Sequence, residues 1–214
     1  MNIMRIIALT LFASLASAVG ATPADDAIRP IQDRWAEIKY RMPEKQQPDM
    51  YRELARKAHQ LVESNPYMAE ALIWEGIVVS SEAGARGGLG ALSLAKESKR
   101  LLEESLKLDE RALNGSAYTS LATLYAKAPG WPIAFGDDKR AEELFLKALS
   151  LNPNGIDPNY FYGEYLIDNG RVADGRAHLE AALNAPDRPG REIADQGRRR
   201  EIQALLNKIE KEAR

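Results

Sequence analysis

Few side chains in this 214-residue sequence carry chemistry, and their spacing argues against catalysis. There is no cysteine, which excludes disulfide scaffolds, thiol nucleophiles, iron–sulfur clusters and cysteine zinc sites. His59 and His178 are the two histidines, too few for a histidine-rich metal site. Glu103 and Glu104, and Glu142 and Glu143, are adjacent carboxylates on predicted helices. Neighbours along a helix diverge by about 100°, so neither pair converges on one substrate bond. No serine–histidine–aspartate spacing and no nucleophile elbow is present. The glycine-rich run Gly84-Ala85-Arg86-Gly87-Gly88-Leu89-Gly90 suggests a phosphate cradle. It lacks the Gly-Lys-Ser/Thr ending and a preceding strand, so a flexible or tightly turned connector is the expectation. The chain is therefore expected to be non-catalytic, without metal or cofactor.

The aromatic residues of the stretch 128–138 have a stronger case. Trp131 and Phe135 lie among Pro129, Gly130, Pro132 and Gly136. Two large aromatic rings in such a loop are costly to leave in water. Either they fold back as a plug on the core, which is the first expectation, or they touch a ligand or partner.

These residues must be positioned by helices, because apolar spacing of three and four recurs and long alternation does not. The pattern predicts helices at 26–41, 49–64, 69–82, 92–108, 116–127, 138–151, 158–168, 172–184 and 191–212. Proline and glycine fall between them. Apolar residues make up 45% and charged residues 28% of the chain, enough for a globular core. The formal net charge of −2 does not suit a nucleic-acid binder.

The helices repeat. Ala141, Phe145 and Ala148 recur as Gly175, Leu179 and Ala182, each 34 residues on, and Gly163 recurs as Gly197. Pro153 closes the first of these units and Pro186 the second. Leu54, Ala58, Leu61 and Pro66, then Ala69, Leu72 and Gly76 beside Trp74, form a looser version upstream. Ser98, Leu102 and Ser105, then Tyr118, Leu121, Ala122 and Tyr125, continue it. Small residues allow two helices to approach closely, and stacked pairs bury one continuous core. This pattern resembles the tetratricopeptide repeat family across the mature chain. The resemblance implies an all-α helical-repeat solenoid of antiparallel pairs. Residues 22–214 would form one domain of about three units plus flanking helices, and the helix at 191–212 would be a C-terminal cap. In that cap Ile193, Ile202, Leu205, Leu206 and Ile209 make one apolar stripe, with Arg198-Arg199-Arg200 expected to face water.

Two departures from the repeat are informative. Gly76 to Ala122 spans 46 residues and Ala122 to Gly163 spans 41. The extra residues are the glycine-rich run and the Trp131 stretch, one unit apart. Insertions in repeats map to one face, often the binding face, so two adjacent loops are expected to form a lip over one end of a groove.

The resemblance also implies which residues line that groove. They are Glu70, Ile73, Ile77 and Ser80, then Ser116, Thr119, Thr123 and Ala126, then Asp157, Tyr160, Glu164 and Ile167. These positions carry no lysine or arginine, so an anionic peptide terminus is not expected to be clamped. An extended apolar or basic peptide, or a small apolar molecule, fits better. Asp157 before Pro158 reads first as a helix N-cap. Phe161, Tyr162 and Tyr165 read as packing residues, and Tyr160 as facing the groove.

A narrower resemblance rests on Gly130-Trp131-Pro132-Ile133, Phe135-Gly136-Asp137, Lys139 and Gly155-Ile156-Asp157-Pro158-Asn159-Tyr160-Phe161-Tyr162-Gly163. It is similar to the T component of TRAP transporters. That implies an exported helical-repeat protein working with a solute receptor and holding an apolar ligand. Members of that family are often lipoproteins, whereas this chain has no lipobox cysteine.

Export is the expectation from the N-terminus as well. Arg5 precedes the apolar run Ile6 to Leu15, and Ala16-Ser17-Ala18 and Val19-Gly20-Ala21 follow. That is the layout of a cleavable secretory signal over residues 1–21. The apolar run is too short to span a bilayer, and no later segment is long enough. Removing Arg5 takes the formal charge from −2 to −3. A periplasmic or secreted protein is expected. Its role is either a protein- or peptide-interaction module or a ligand-binding accessory subunit of solute uptake.

Overall fold

A computed structural model describes residues 22–212; the signal segment predicted at 1–21 lies outside them. The described residues are all-helical, with nine α-helices and no strand among them. These are α1 (Pro23–Arg41), α2 (Gln47–Ser64), α3 (Ala69–Arg86), α4 (Gly88–Leu108), α5 (Ser116–Lys127), α6 (Asp138–Leu151), α7 (Ile156–Asp168), α8 (Val172–Leu183) and α9 (Glu192–Glu212). Their starts follow familiar capping chemistry. Thr22 accepts from the Asp25 backbone N–H while Asp25 reaches back to Thr22, a reciprocal box that opens α1. Asp137 caps α6 through the backbone N–H of Arg140. No described helix is long and apolar enough to cross a membrane.

Each helix packs on the next, and the odd-numbered helices also touch one another in sequence. Thus α1 meets α3, α3 meets α5, α5 meets α7 and α7 meets α9. The series then closes, because α9 packs against α1. The even-numbered helices pair with their odd neighbours on either side. Connections of a few residues between long packed helices force antiparallel neighbours. The helix at 191–212 was expected to cap an open end. It touches α7 and α8 with Ile202, Leu206 and Ile209, but its first turn reaches the other end of the chain, where Ala194 is buried beside Ile31 and Trp35.

Helices α7 and α8 approach closely at two glycines. A Cβ built on Gly163 would lie 3.0 Å from the Gly175 carbonyl oxygen, and one on Gly175 only 2.7 Å from that of Gly163. In the α3–α4 pair, Gly76 faces Leu102, and the Ser98 hydroxyl donates to the Gly76 carbonyl at 2.7 Å. Small residues at these positions let backbones meet.

The glycine-rich insertion does not form a loop. α3 runs on to Arg86, and α4 starts at Gly88. Gly87 and Gly88, at φ of 63° and 65°, make the whole reversal. Two left-handed residues suffice for the turn, so the rest of the insertion lengthens the two helices. The second insertion does form a loop, folded back by the Gly136 N–H to Pro129 carbonyl bond at 2.9 Å. The expected pair of adjacent loops is therefore one loop and one extended helical corner.

Candidate functional site

The five odd-numbered helices, the inner series, line a half-open pocket of about 700 Å³. That lies within the range for small-molecule sites. Trp35 comes from α1, Trp74, Ile77, Ser80 and Ala83 from α3, Thr119, Thr123 and Leu124 from α5, Phe161 from α7 and Ala194 from α9. The lengthened start of α4 adds Ala91, Leu92 and Ala95. The turn before α5 adds Leu113, held at φ 48°. A leucine rarely adopts that left-handed conformation. Here it is held between the two larger apolar clusters, against which Leu113 packs on both sides.

One wall is aromatic. Trp35 and Trp74 meet edge to face with centroids 6.0 Å apart, and the Trp35 N–H donates to the Ser81 hydroxyl at 2.8 Å. The Trp74 indole N–H is buried and has no acceptor among the described residues.

The opposite chemistry enters from the α8–α9 connection and α9, which bring Arg188, Arg191 and Arg198 to the pocket, with Asp157 of α7. Arg188 grips Asp195 through Nε at 2.8 Å and Nη2 at 2.6 Å, and donates to Asp157 at 2.6 Å. Arg198 donates to the other Asp157 oxygen at 2.9 Å and to Glu201 at 2.6 Å. It also lies 4.4 Å from the Tyr160 ring centroid and 4.5 Å from that of Phe161. Burial opposes the charge on Asp157, but Arg188 and Arg198 outweigh it and hold the carboxyl well below the usual carboxylate range. Burial likewise opposes the charge on Arg198, and Asp157, Tyr40 and Glu201 outweigh it and push its pKa up. Arg191 differs. Its guanidinium stands 4.9 Å from the Trp74 ring centroid and makes no hydrogen bond or ion pair among the described residues. Burial, then the neighbouring Arg188 charge, pulls its pKa down to about 10.

Of the predicted groove residues, Ile77, Ser80, Ser116, Thr119, Thr123 and Asp157 line the pocket. Ile73 does not; it is buried in the core beside Leu102 and Leu121. Tyr160 packs among Leu179, Ile202 and Leu206 and beneath Arg198. Glu164 pairs with Lys127 at 3.3 Å. Phe135 is half-buried against Tyr125, with centroids 5.5 Å apart. Trp131, read first as a core plug, is 89% exposed, and Ile133 beside it is 65% exposed.

Two further expectations are overturned here. Asp157 is not an N-cap, because α7 starts at Ile156 with Gly155 in the capping position. Arg198 is not on a solvated face; it is 6% exposed. Its neighbour Arg199 donates to the Ala185 carbonyl and pairs with Asp187, while Arg200 is exposed. The cavity also holds arginine. The groove positions lack it, but residues 188–198 supply it from outside the inner-face pattern of the repeat. An arginine run interrupted by Gly190, Ala194 and Gly197 was the available signal. Gly197 admits the Tyr40 ring, which would lie 2.4 Å from an added Cβ.

The remaining chemistry-bearing residues are satisfied locally. His59 pairs with Glu75 at 2.9 Å and His178 with Asn159 at 2.9 Å. Glu103 and Glu104 pair with Lys99 and Arg100. Glu142 and Glu143 pair with Arg171 and Arg140. Among the described residues, no group of three or more His, Asp or Glu side chains is placed to hold a metal.

No family model matches this chain and no curated protein matches it.

Proposed function

We propose that this chain is an exported, non-catalytic helical-repeat protein that carries a small, largely apolar molecule in its central pocket. The observation that carries this reading is the pocket itself. All five inner helices contribute to a volume of about 700 Å³, with two tryptophans forming one wall. A concave, half-open site of this kind removes part of a small ligand's surface from water, which is a source of affinity. Packing of α9 on α1 closes the inner series, and a closed series suits a small molecule better than a peptide running through an open groove.

The repeat reading has support of its own. Gly76 against Leu102 and Gly163 against Leu179 are the same small-on-large contact in two different helix pairs. Export rests on the layout of residues 1–21. The resemblance to the T component of TRAP transporters would put the pocket's cargo in solute uptake. The interaction-module reading keeps one observation: Trp131 and Ile133 stand exposed together at a loop tip, as a contact for a protein partner would.

The pocket reading is directly testable. Trp131 lies outside the pocket, and the other two tryptophans, Trp35 and Trp74, line it. In a Trp131→Phe variant, intrinsic fluorescence therefore reports on the pocket alone. Titration with decanol, an uncharged apolar probe, is expected to give a saturable change in that emission. Emission that does not respond, or drifts without saturating, overturns the reading.

A further inference from the structure

At one end of the pocket the ion pairs are shared unevenly. Three arginines and three carboxylates meet there, and two of the arginines take all the direct pairs. Arg188 is held by Asp195 and Asp157, and Arg198 by Asp157 and Glu201. Arg191 sits between the pocket and the surface, over Trp74, with no carboxylate in ion-pair distance among the described residues. Asp157, Asp195 and Asp33 act on it only through space. Contact with an aromatic ring engages no acceptor, so the donors of this guanidinium remain unspent. A partly desolvated guanidinium without a direct hydrogen-bonded partner is costly, and a bound oxyanion removes that cost. The rest of the lining is mostly apolar, aromatic or hydroxyl-bearing; Gln32, Asn114 and Asn152 add amides, and the further cation Lys127 is paired with Glu164 and Asp168.

Resting on the pocket reading above, we infer that Arg191 is the head-group site of the pocket and that the carried molecule is a monoanionic amphiphile. Its carboxylate or similar oxyanion bonds to Arg191 beside Trp74. Its apolar body lies along Trp35, Ile77, Leu92 and Leu124. One guanidinium with unspent donors calls for one oxyanion. A dianion would set its second charge near Asp157 and Asp195, and a cationic head would meet Arg191 directly. An arginine fork suits the planar geometry of a carboxylate.

The test compares three probes with the same ten-carbon chain, decanoate, decanol and decyltrimethylammonium, by calorimetric titration of the full mature chain. Decanoate is expected to bind about tenfold or more tighter than decanol, the gain of a charge-assisted bond. Decyltrimethylammonium is expected to bind more weakly than either. Arg191→Gln is expected to bring the decanoate-to-decanol ratio close to one, and Arg191→Lys to restore part of it. Decanol binding as tightly as decanoate in the unaltered protein overturns the head-group inference and leaves the pocket reading standing. So does a ratio that survives Arg191→Gln. Absence of binding by every probe overturns both. The probe comparison in the unaltered protein decides the matter even if the variants unfold.

Discussion

The α7–α8 pair and the α8–α9 connection lie side by side, and they are held by opposite means. In the first, Gly163 and Gly175 bring two backbones together with no room for another carbon. In the second, Arg188, Asp157, Asp195 and Arg198 form a chain of ion pairs at 2.6–2.9 Å beside a cavity. The first region tolerates no added atom. The second tolerates no lost charge. Shape complementarity sets the helix pairing, and a charged network holds the closing segment against α7 at the edge of the pocket.

Substitutions should separate the two. Gly163→Leu has the largest expected effect, about 3 kcal/mol or more through overpacking against a carbonyl and Leu179. Chemical denaturation measures it, and an unchanged midpoint would refute the close approach. Asp157→Asn comes next. Two arginines lose their shared charge, at about 2–3 kcal/mol. Its pH dependence identifies the cause. The folded-state pKa of Asp157 is lowered, so its contribution is fully present above the ordinary carboxylate value of 3.8. It is lost as pH falls from there through the lower folded value. The gap in melting temperature between parent and Asp157→Asn should therefore be widest near neutrality and shrink in acid. A gap constant with pH would mean that shape, not charge, is lost.

Gly76→Ala refines the first half of the comparison. Its added Cβ meets Leu102 Cγ at 2.9 Å and Cδ2 at 3.1 Å, with the Ser98 carbonyl oxygen at 3.4 Å. Leu102 is fully buried and must give by a fraction of an ångström, which offsets the about 0.5–1 kcal/mol that alanine gains over glycine within a helix. The net change is expected within about 1 kcal/mol of zero, well below Gly163→Leu. Trp131→Ala has the smallest expected effect, within about 0.5 kcal/mol, because the ring is in water. A large drop in its melting temperature would restore the plug reading.

The helices were legible because their apolar spacing and their proline and glycine punctuation agree. The predicted 116–127 and 138–151 match α5 and α6 at both ends. The tight helix contacts were legible too, since small residues recur at fixed distances. The glycine-rich corner was misread because glycine content suggests a loop, whereas local apolar periodicity at Ala91, Leu92 and Ala95 carries the helix through it. Ile77, Ser80, Thr119 and Thr123 were found by their place on inner helices. The arginines were missed for a tertiary reason. Nothing local marks Arg188, Arg191 and Arg198 as inward-facing until α9 folds across to α1. That return depends on Gly197 and Tyr40, which are far apart in sequence.

Native mass spectrometry of the protein, isolated gently from its own source, tests the central claim most directly. The account predicts a chain carrying one extra small mass that is lost on denaturation and identifies as an apolar molecule with a single acidic group. A bare chain, or one whose only companion is another polypeptide, would contradict it.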